Sequence, residues 1–231
     1  IGGNFTHTAG LVVGTSTFVF NGTGTWSSGV ALPTLRNNVN INTGGILTIS
    51  GSLSYNVGTI TFTSGTVVTT GSTLNTSVSI ILNTNGMTWN AISIGTSTPT
   101  TVTINSTLSA ASLSIAAGIA TTFSGTSSFN VDTWTLLHQT TITITLTSLR
   151  TYTVNTLFTA VNTSPAARLS IRASSAGSRA NITLGNSASQ ALGYVNFTDI
   201  SATGKTIRTF GGTLSNTLNV QSFTSPQTVG G

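Results

Sequence analysis

Two carboxylates are all that this sequence of 231 residues offers for acid–base chemistry: Asp132 and Asp199, with no glutamate. Glycoside cleavage needs a pair of carboxyl groups about 5 to 9.5 Å apart, one of them held protonated. These two stand far apart in the chain, so only folding can make them a pair. The histidines are His7 and His138. A Ser–His–Asp set is formally present, but among 31 serines a spare hydroxyl carries no information. No G-x-S-x-G elbow presents one as a nucleophile. Cysteine is absent, and two scattered histidines with two scattered aspartates do not make a metal ligand set. The residues therefore point to no catalytic group, no metal and no cofactor, and the expectation is a protein that is not an enzyme.

The bases are patterned more sharply. Arg36 stands alone, whereas Arg150, Arg168, Arg172, Arg179, Lys205 and Arg208 fall within one stretch. Arg168 and Arg172 are four apart on a predicted strand, so they share a side with Ser170, while Leu169 and Ile171 take the other. Arg179 follows one turn later. Such a stripe suits an acidic neighbouring subunit or an anionic ligand, phosphate or lipopolysaccharide among them. The plainer reading gives Arg168, Arg172 and Arg179 to backbone carbonyls at corners of the fold. Nucleic acid is not expected, because no aromatics interleave with these bases as stacking platforms.

The elements that hold these residues follow from composition. Only 4% of the chain is charged, against about 25% in an ordinary soluble domain. Yet 38% is hydrophobic, the mean hydropathy is +0.31 and the net charge is +5, so a core can form and the surface must be made of hydroxyls and amides. Helix is disfavoured: Thr and Val lose side-chain freedom there, and Ser and Asn compete for backbone hydrogen bonds. The same residues fit a pleated surface. No apolar run approaches the roughly 18 residues of a membrane helix, so no membrane span is expected.

Short runs alternating apolar and small polar residues recur at 39–42, 46–50, 59–63, 77–82, 101–105, 112–115, 141–147, 151–154, 168–172, 181–184 and 194–198. Gly- or Asn-containing turns close them, as at Asn21-Gly22, Asn85-Gly86 and Gly211-Gly212. In 141–147, TITITLT, Ile142, Ile144 and Leu146 point one way and the threonines the other. The strands are many and short, and the prominent ones recur at about twenty residues, the signature of a solenoid. The expected fold is all-β: a right-handed parallel β-helix (β-solenoid) of about 10 to 12 coils, a rod of about 50 Å. The alternative is an antiparallel β-sandwich. Stacked coils lay like residues over one another, where hydroxyls and amides form ladders and like charges repel, so low charge belongs to the fold. A flat T-x-T array that orders water is not expected, since the T-x-T pattern does not repeat in register from coil to coil.

The segment NFTHTAGLVVGTSTFVFNGTGTW (4–26) resembles a repeat unit of large bacterial surface proteins and phage structural proteins, in which F-x-H-x-x-G leads to V-x-F-N-G-T-G-T. The stretch MTWNAISIGTSTPTTVTINSTLSAASLSIAAG (87–118) is similar to the following part of such units. ALGYVNFTDISATGKTIRTFGGTLSNTLNV (191–220) looks like their closing coil, with Asp199 at a structural turn. The resemblance covers about a third of the chain directly. It implies a β-helix on an extracellular or virion protein and brings no catalytic residues. The expectation is one solenoid domain over 1–231, a processed or partial chain of a longer protein. It would serve as a structural and adhesive part of a phage virion: a tail fibre, spike or capsid-surface decoration. The alternative is a bacterial cell-surface adhesin or extracellular fibre segment. Expected partners are further copies of itself, as a trimer or filament, neighbouring virion or surface proteins, and a host surface glycan. The expected location is the virion surface or the extracellular space.

Overall fold

A computed structural model describes residues 1–224 except 8–10, 13, 29–33, 57, 85, 96–98, 138–139 and 161–164. The described chain is built of strands without a helix, and every ladder between strands is parallel. Each strand pairs with the strand one winding earlier and one winding later: Val19 lies beside Asn40, and Asn40 beside Thr61. The fold is a β-solenoid, and the antiparallel sandwich is excluded.

One face stacks ten strands: Thr17–Phe20, the start of Asn38–Tyr55, the start of Thr59–Val68, Ile80–Asn83, Thr100–Ile104, Thr121–Ser124, Ile142–Leu146, Leu169–Ala173, Val195–Thr198 and Leu214–Ser215. Ten strands make nine steps, so the rod has about nine turns rather than 10 to 12. At about 4.8 Å per step it is about 43 Å long. The overcount has a physical cause. Coils lengthen without adding a rung: the winding from Leu146 to its partner Ala173 uses more chain than the one from Phe20 to its partner Ile41. In the winding from Thr151 to its partner Asn181, the small turn closed by the Ser175–Ser178 bridge takes up chain in this way.

Alternation sets which side faces inward. In Ile142–Leu146 the three aliphatics are buried, and Thr143 and Thr145 are half-exposed. Where two consecutive residues both point outward, the strand bends into the next face: Ala111–Ser112 in Leu108–Ile115, and Asp132–Thr133 in Phe129–Leu136. A second face thus continues into a third without breaking the strand. The second stacks 108–110, 130–131, 151–154, Ala180–Leu184 and Ile200–Gly204; the third stacks 51–54, Ser72–Thr76, 91–94, 112–115, 133–136 and 157–160.

Aliphatic and aromatic columns fill the interior. Ile144, Ile171 and Phe197 stack in register, all fully buried, each side chain contributing roughly 1.5–3 kcal/mol of burial. Trp134 and Phe158 lie on adjacent rungs with ring centroids 4.7 Å apart and planes within 3°. Where the main-chain ladder breaks at corners, asparagines carry it on. The side-chain oxygens of Asn4, Asn38, Asn56 and Asn196 accept from the backbone N–H of Thr25, Thr59, Ser77 and Thr213 on the next coil, at 2.9–3.0 Å. Gly204, at φ +72°, has no room for a Cβ, which would collide with the carbonyl of Leu184 one coil below.

Two tyrosines lie inside. The Tyr55 hydroxyl donates to the Asn37 carbonyl at 2.7 Å, and the Tyr152 hydroxyl accepts from the Thr147 N–H at 2.9 Å. Burial pushes both phenols above their ordinary pKa. The fold therefore holds them neutral, whereas the unfolded chain ionises them near pH 10. Their contribution to stability is complete below about pH 10 and is lost as pH rises beyond it. Thermal melts from pH 8 to 11.5 should show a falling midpoint above about pH 10, and a Tyr55→Phe, Tyr152→Phe variant should flatten that fall.

Candidate functional site: a basic collar and its clamps

Arg172 takes the outward side of the first face, with Leu169 and Ile171 buried opposite, while Arg168 stands just before the strand Leu169–Ala173. Their roles differ. The half-buried Arg168 donates from Nε to the Pro165 carbonyl at 3.1 Å and from Nη1 to the Gly211 carbonyl at 2.6 Å, with Asn196 Oδ1 at 3.5 Å. Arg172 is exposed, beside Thr145 on one coil and Thr198 on the next. Arg179 stands at the corner between the first and second faces, donating from Nε to the Asn216 carbonyl at 2.9 Å and from Nη2 to Asn216 Oδ1 at 2.7 Å. Arg168 and Arg179 thus clamp the last coils through carbonyls at corners, and Arg172 projects without such bonds among the described residues.

The other bases complete the picture. Arg150 is exposed at the head of the second face, next to Arg179 on the adjoining coil through the bonds of Asn181 N–H to the Arg150 carbonyl and Leu149 N–H to the Arg179 carbonyl. Lys205 lies at the corner between second and third faces, its Nζ 2.8 Å from the Ala188 carbonyl. Arg208 is exposed on the third face, 6.0 Å from the ring centre of Phe223. The predicted stripe is in fact a collar that reaches every face. Sequence distance hid this, because windings of unequal length decide which side a residue faces.

The carboxylates are not brought together. Asp132 is exposed on the second face, where its Oδ1 accepts from Asn155 Nδ2 at 3.1 Å. Asp199 is buried at a corner three rungs further on, about 14 Å along the axis. That separation exceeds the roughly 5–9.5 Å of a glycosidase pair. Asp199 adopts φ +55°, a conformation that Asp tolerates better than most residues. Its Oδ1 accepts from the Gly177 N–H at 3.0 Å and from Asn216 Nδ2. Asn216 therefore bridges Arg179 and Asp199, a three-residue clamp across consecutive coils. His7 closes the strand Phe5–His7, and His138 lies outside the described residues.

One column of outward threonines falls into register, while the T-x-T pair itself does not repeat, since Thr103 lies beside Ser124. Thr101 lies beside Thr122 and Thr122 beside Thr145, a column that Arg172 then interrupts. The third face is more regular. Over six rungs its outward pairs are Ser52 and Ser54, Thr73 and Asn75, Ala91 and Ser93, Ser112 and Ser114, Thr133 and Thr135, Leu157 and Thr159. None is charged, and Ala91 and Leu157 break the succession of polar groups.

No family model, no curated protein and no solved structure matches this chain. Its class rests on its own geometry: a β-solenoid with a nearly uncharged shaft and a basic collar.

Removing the bridge should loosen one end only. In Asn216→Ala the Asp199 carboxylate and the Arg179 guanidinium each lose a charge-assisted partner, at a cost of about 1.5–3 kcal/mol. Hydrogen exchange should accelerate over 195–223 and stay unchanged over 38–104. Uniform acceleration along the rod would show that Asn216 is no local clamp.

Proposed function

We propose that this chain is a non-enzymatic structural and adhesive rod of a phage virion, working as a tail fibre, spike or capsid-surface decoration. The observation that carries the reading is the continuous interior, filled from Phe20 on the first rung to Val220 near the last and flanked by parallel ladders at each step. Coils that bond only to their neighbours add stiffness and stability rung by rung, which suits a load-bearing stalk. The separation and settings of Asp132 and Asp199 favour a structural role for both.

Copies of the rod associate side by side through the uncharged rungs of the third face, where no like charges oppose contact. Ser112→Lys with Ser114→Lys places two cations on those rungs. Sedimentation at micromolar concentration should give an oligomer for the unaltered chain and a monomer for the variant. A monomeric unaltered chain would remove lateral association from the proposal.

The location is tested with antibodies raised against the rod and gold labelling of the source material. Label on virion exteriors is the expected result. Label on bacterial surface filaments would transfer the rod to the cell-surface reading, and label confined to the cytoplasm would overturn both. Release of reducing ends from polysaccharides, surviving purification and abolished by Asp132→Asn or Asp199→Asn, would overturn the non-enzymatic role.

A further inference from the structure

The whole net charge of the chain sits in the collar. Arg36 and Asp132 cancel, so Arg150, Arg168, Arg172, Arg179, Lys205 and Arg208, less Asp199, account for the net +5. These six cations occupy three consecutive rungs, about 10 Å of axis. Along the axis that is about one Debye length at physiological salt, so cations on the same face or corner, as Arg150 and Arg179 are, reinforce one another. The one acid among them, Asp199, is buried and bonded to Asn216 and Gly177, so it offers no counter-charge at the surface.

Another copy of the chain cannot neutralise this collar, because the sequence holds two carboxylate side chains and one of them is buried. Like collars repel. The counter-charge must come from a different molecule. Around Arg172 the outward neighbours are Thr145, Ser170, Asn196 and Thr198, all uncharged hydrogen-bonding groups. None of these is an aromatic or aliphatic anchor, and the apolar residues beside the other cations, exposed Leu149 at Arg150 and Phe223 at Arg208, stand singly rather than as the central cluster a protein contact needs. The single ring of Phe223 beside Arg208 does not make the succession of stacking platforms that bases need. What fits is a hydrated polymer carrying both hydroxyls and anions. Charges on every face also suit a rod embedded in a matrix better than one lying on a flat membrane.

We propose that the collar binds an acidic polysaccharide bearing sulfate or uronate groups, with Arg150, Arg172 and Arg208 as the cations that meet it. Arg168 and Arg179, anchored through carbonyls, hold the surrounding coils in place. The proposal rests on the extracellular reading above for its setting, but not for its chemistry.

The test is titration of the full chain with dextran sulfate and with alginate, using neutral dextran as control, across a range of sodium chloride concentrations. Expected results are binding to both polyanions that weakens steeply with salt, and none to neutral dextran. Arg150→Ala, Arg172→Ala, Arg208→Ala should lower affinity at least tenfold with an unchanged melting midpoint, and Arg36→Ala should change it less than twofold. Equal binding by the triple variant, or equal binding to neutral dextran, would overturn the site. Tighter binding to polyglutamate, single-stranded DNA or phosphatidylglycerol vesicles would reassign the collar and equally overturn it. Binding by a protein that labels only in the cytoplasm would keep the collar and refute the fibre reading. An exterior rod indifferent to both polyanions would do the reverse.

Discussion

Parallel stacking at about 4.8 Å is the constraint on which everything else depends. Each rung can be extended only by a rung whose residues tolerate their near-copies directly above and below. Aliphatics inside do so by packing, as in the column of Ile144, Ile171 and Phe197. Hydroxyls and amides outside do so by bonding, as where the Thr103 and Ser124 hydroxyls meet at 2.9 Å and those of Thr183 and Thr203 at 2.7 Å. Charges of one sign do not. A chain with 4% charged residues is thus what a long uninterrupted ladder selects for, rather than an oddity of composition.

Against that constraint, six cations on three rungs need an explanation. Two of them repay their place locally. Arg168 and Arg179 bond to carbonyls that the bending backbone leaves without ladder partners, and through Asn216 the second is tied to the buried carboxylate of Asp199. The guanidinium groups of Arg150, Arg172 and Arg208 make no such hydrogen bond to a neighbouring coil among the described residues. Their presence costs the ladder some electrostatic repulsion, so their worth has to lie outside the rod. The shaft and the collar are then two devices on one ladder: a neutral surface that accepts copies of itself, and a charged one that refuses them.

Local pattern makes the fold class and the inward-facing sets legible. Ile142, Ile144 and Leu146 are readable from alternation alone, as are Leu169 and Ile171. The rung at Thr121–Ser124 is not, because its inward residues are Phe123 and a threonine, Thr121, which by type belongs outside. Thr76, Thr84 and Thr100 hide other inward positions in the same way. The count of coils fails for a related reason: residues at corners lengthen a coil without leaving any mark in the alternation. The same irregularity puts the partners of Arg179 out of reach, since Asn216 lies far along the chain across two windings of unequal length.

Unequal windings also decide how the end of the rod holds. The turn from Phe197 to Leu214 is much shorter than the turn before it, from Ile171 to Phe197. A shorter last coil leaves fewer main-chain bonds and less buried surface to fasten it. Leu214 and Leu218 remain exposed there, and Val220 carries most of the inward packing. Side-chain clamps gather at this end: Asn196 to Thr213, Arg168 to Gly211, Arg179 to Asn216, and Thr206 to Asn219. Charged hydrogen bonds are stronger than neutral ones, so arginines placed where the ladder is thinnest hold the last turn with few residues. The clamp and the collar share one segment: Arg168 and Arg179 fasten its last coils, while Arg150, Arg172 and Arg208 face outward from the same rungs.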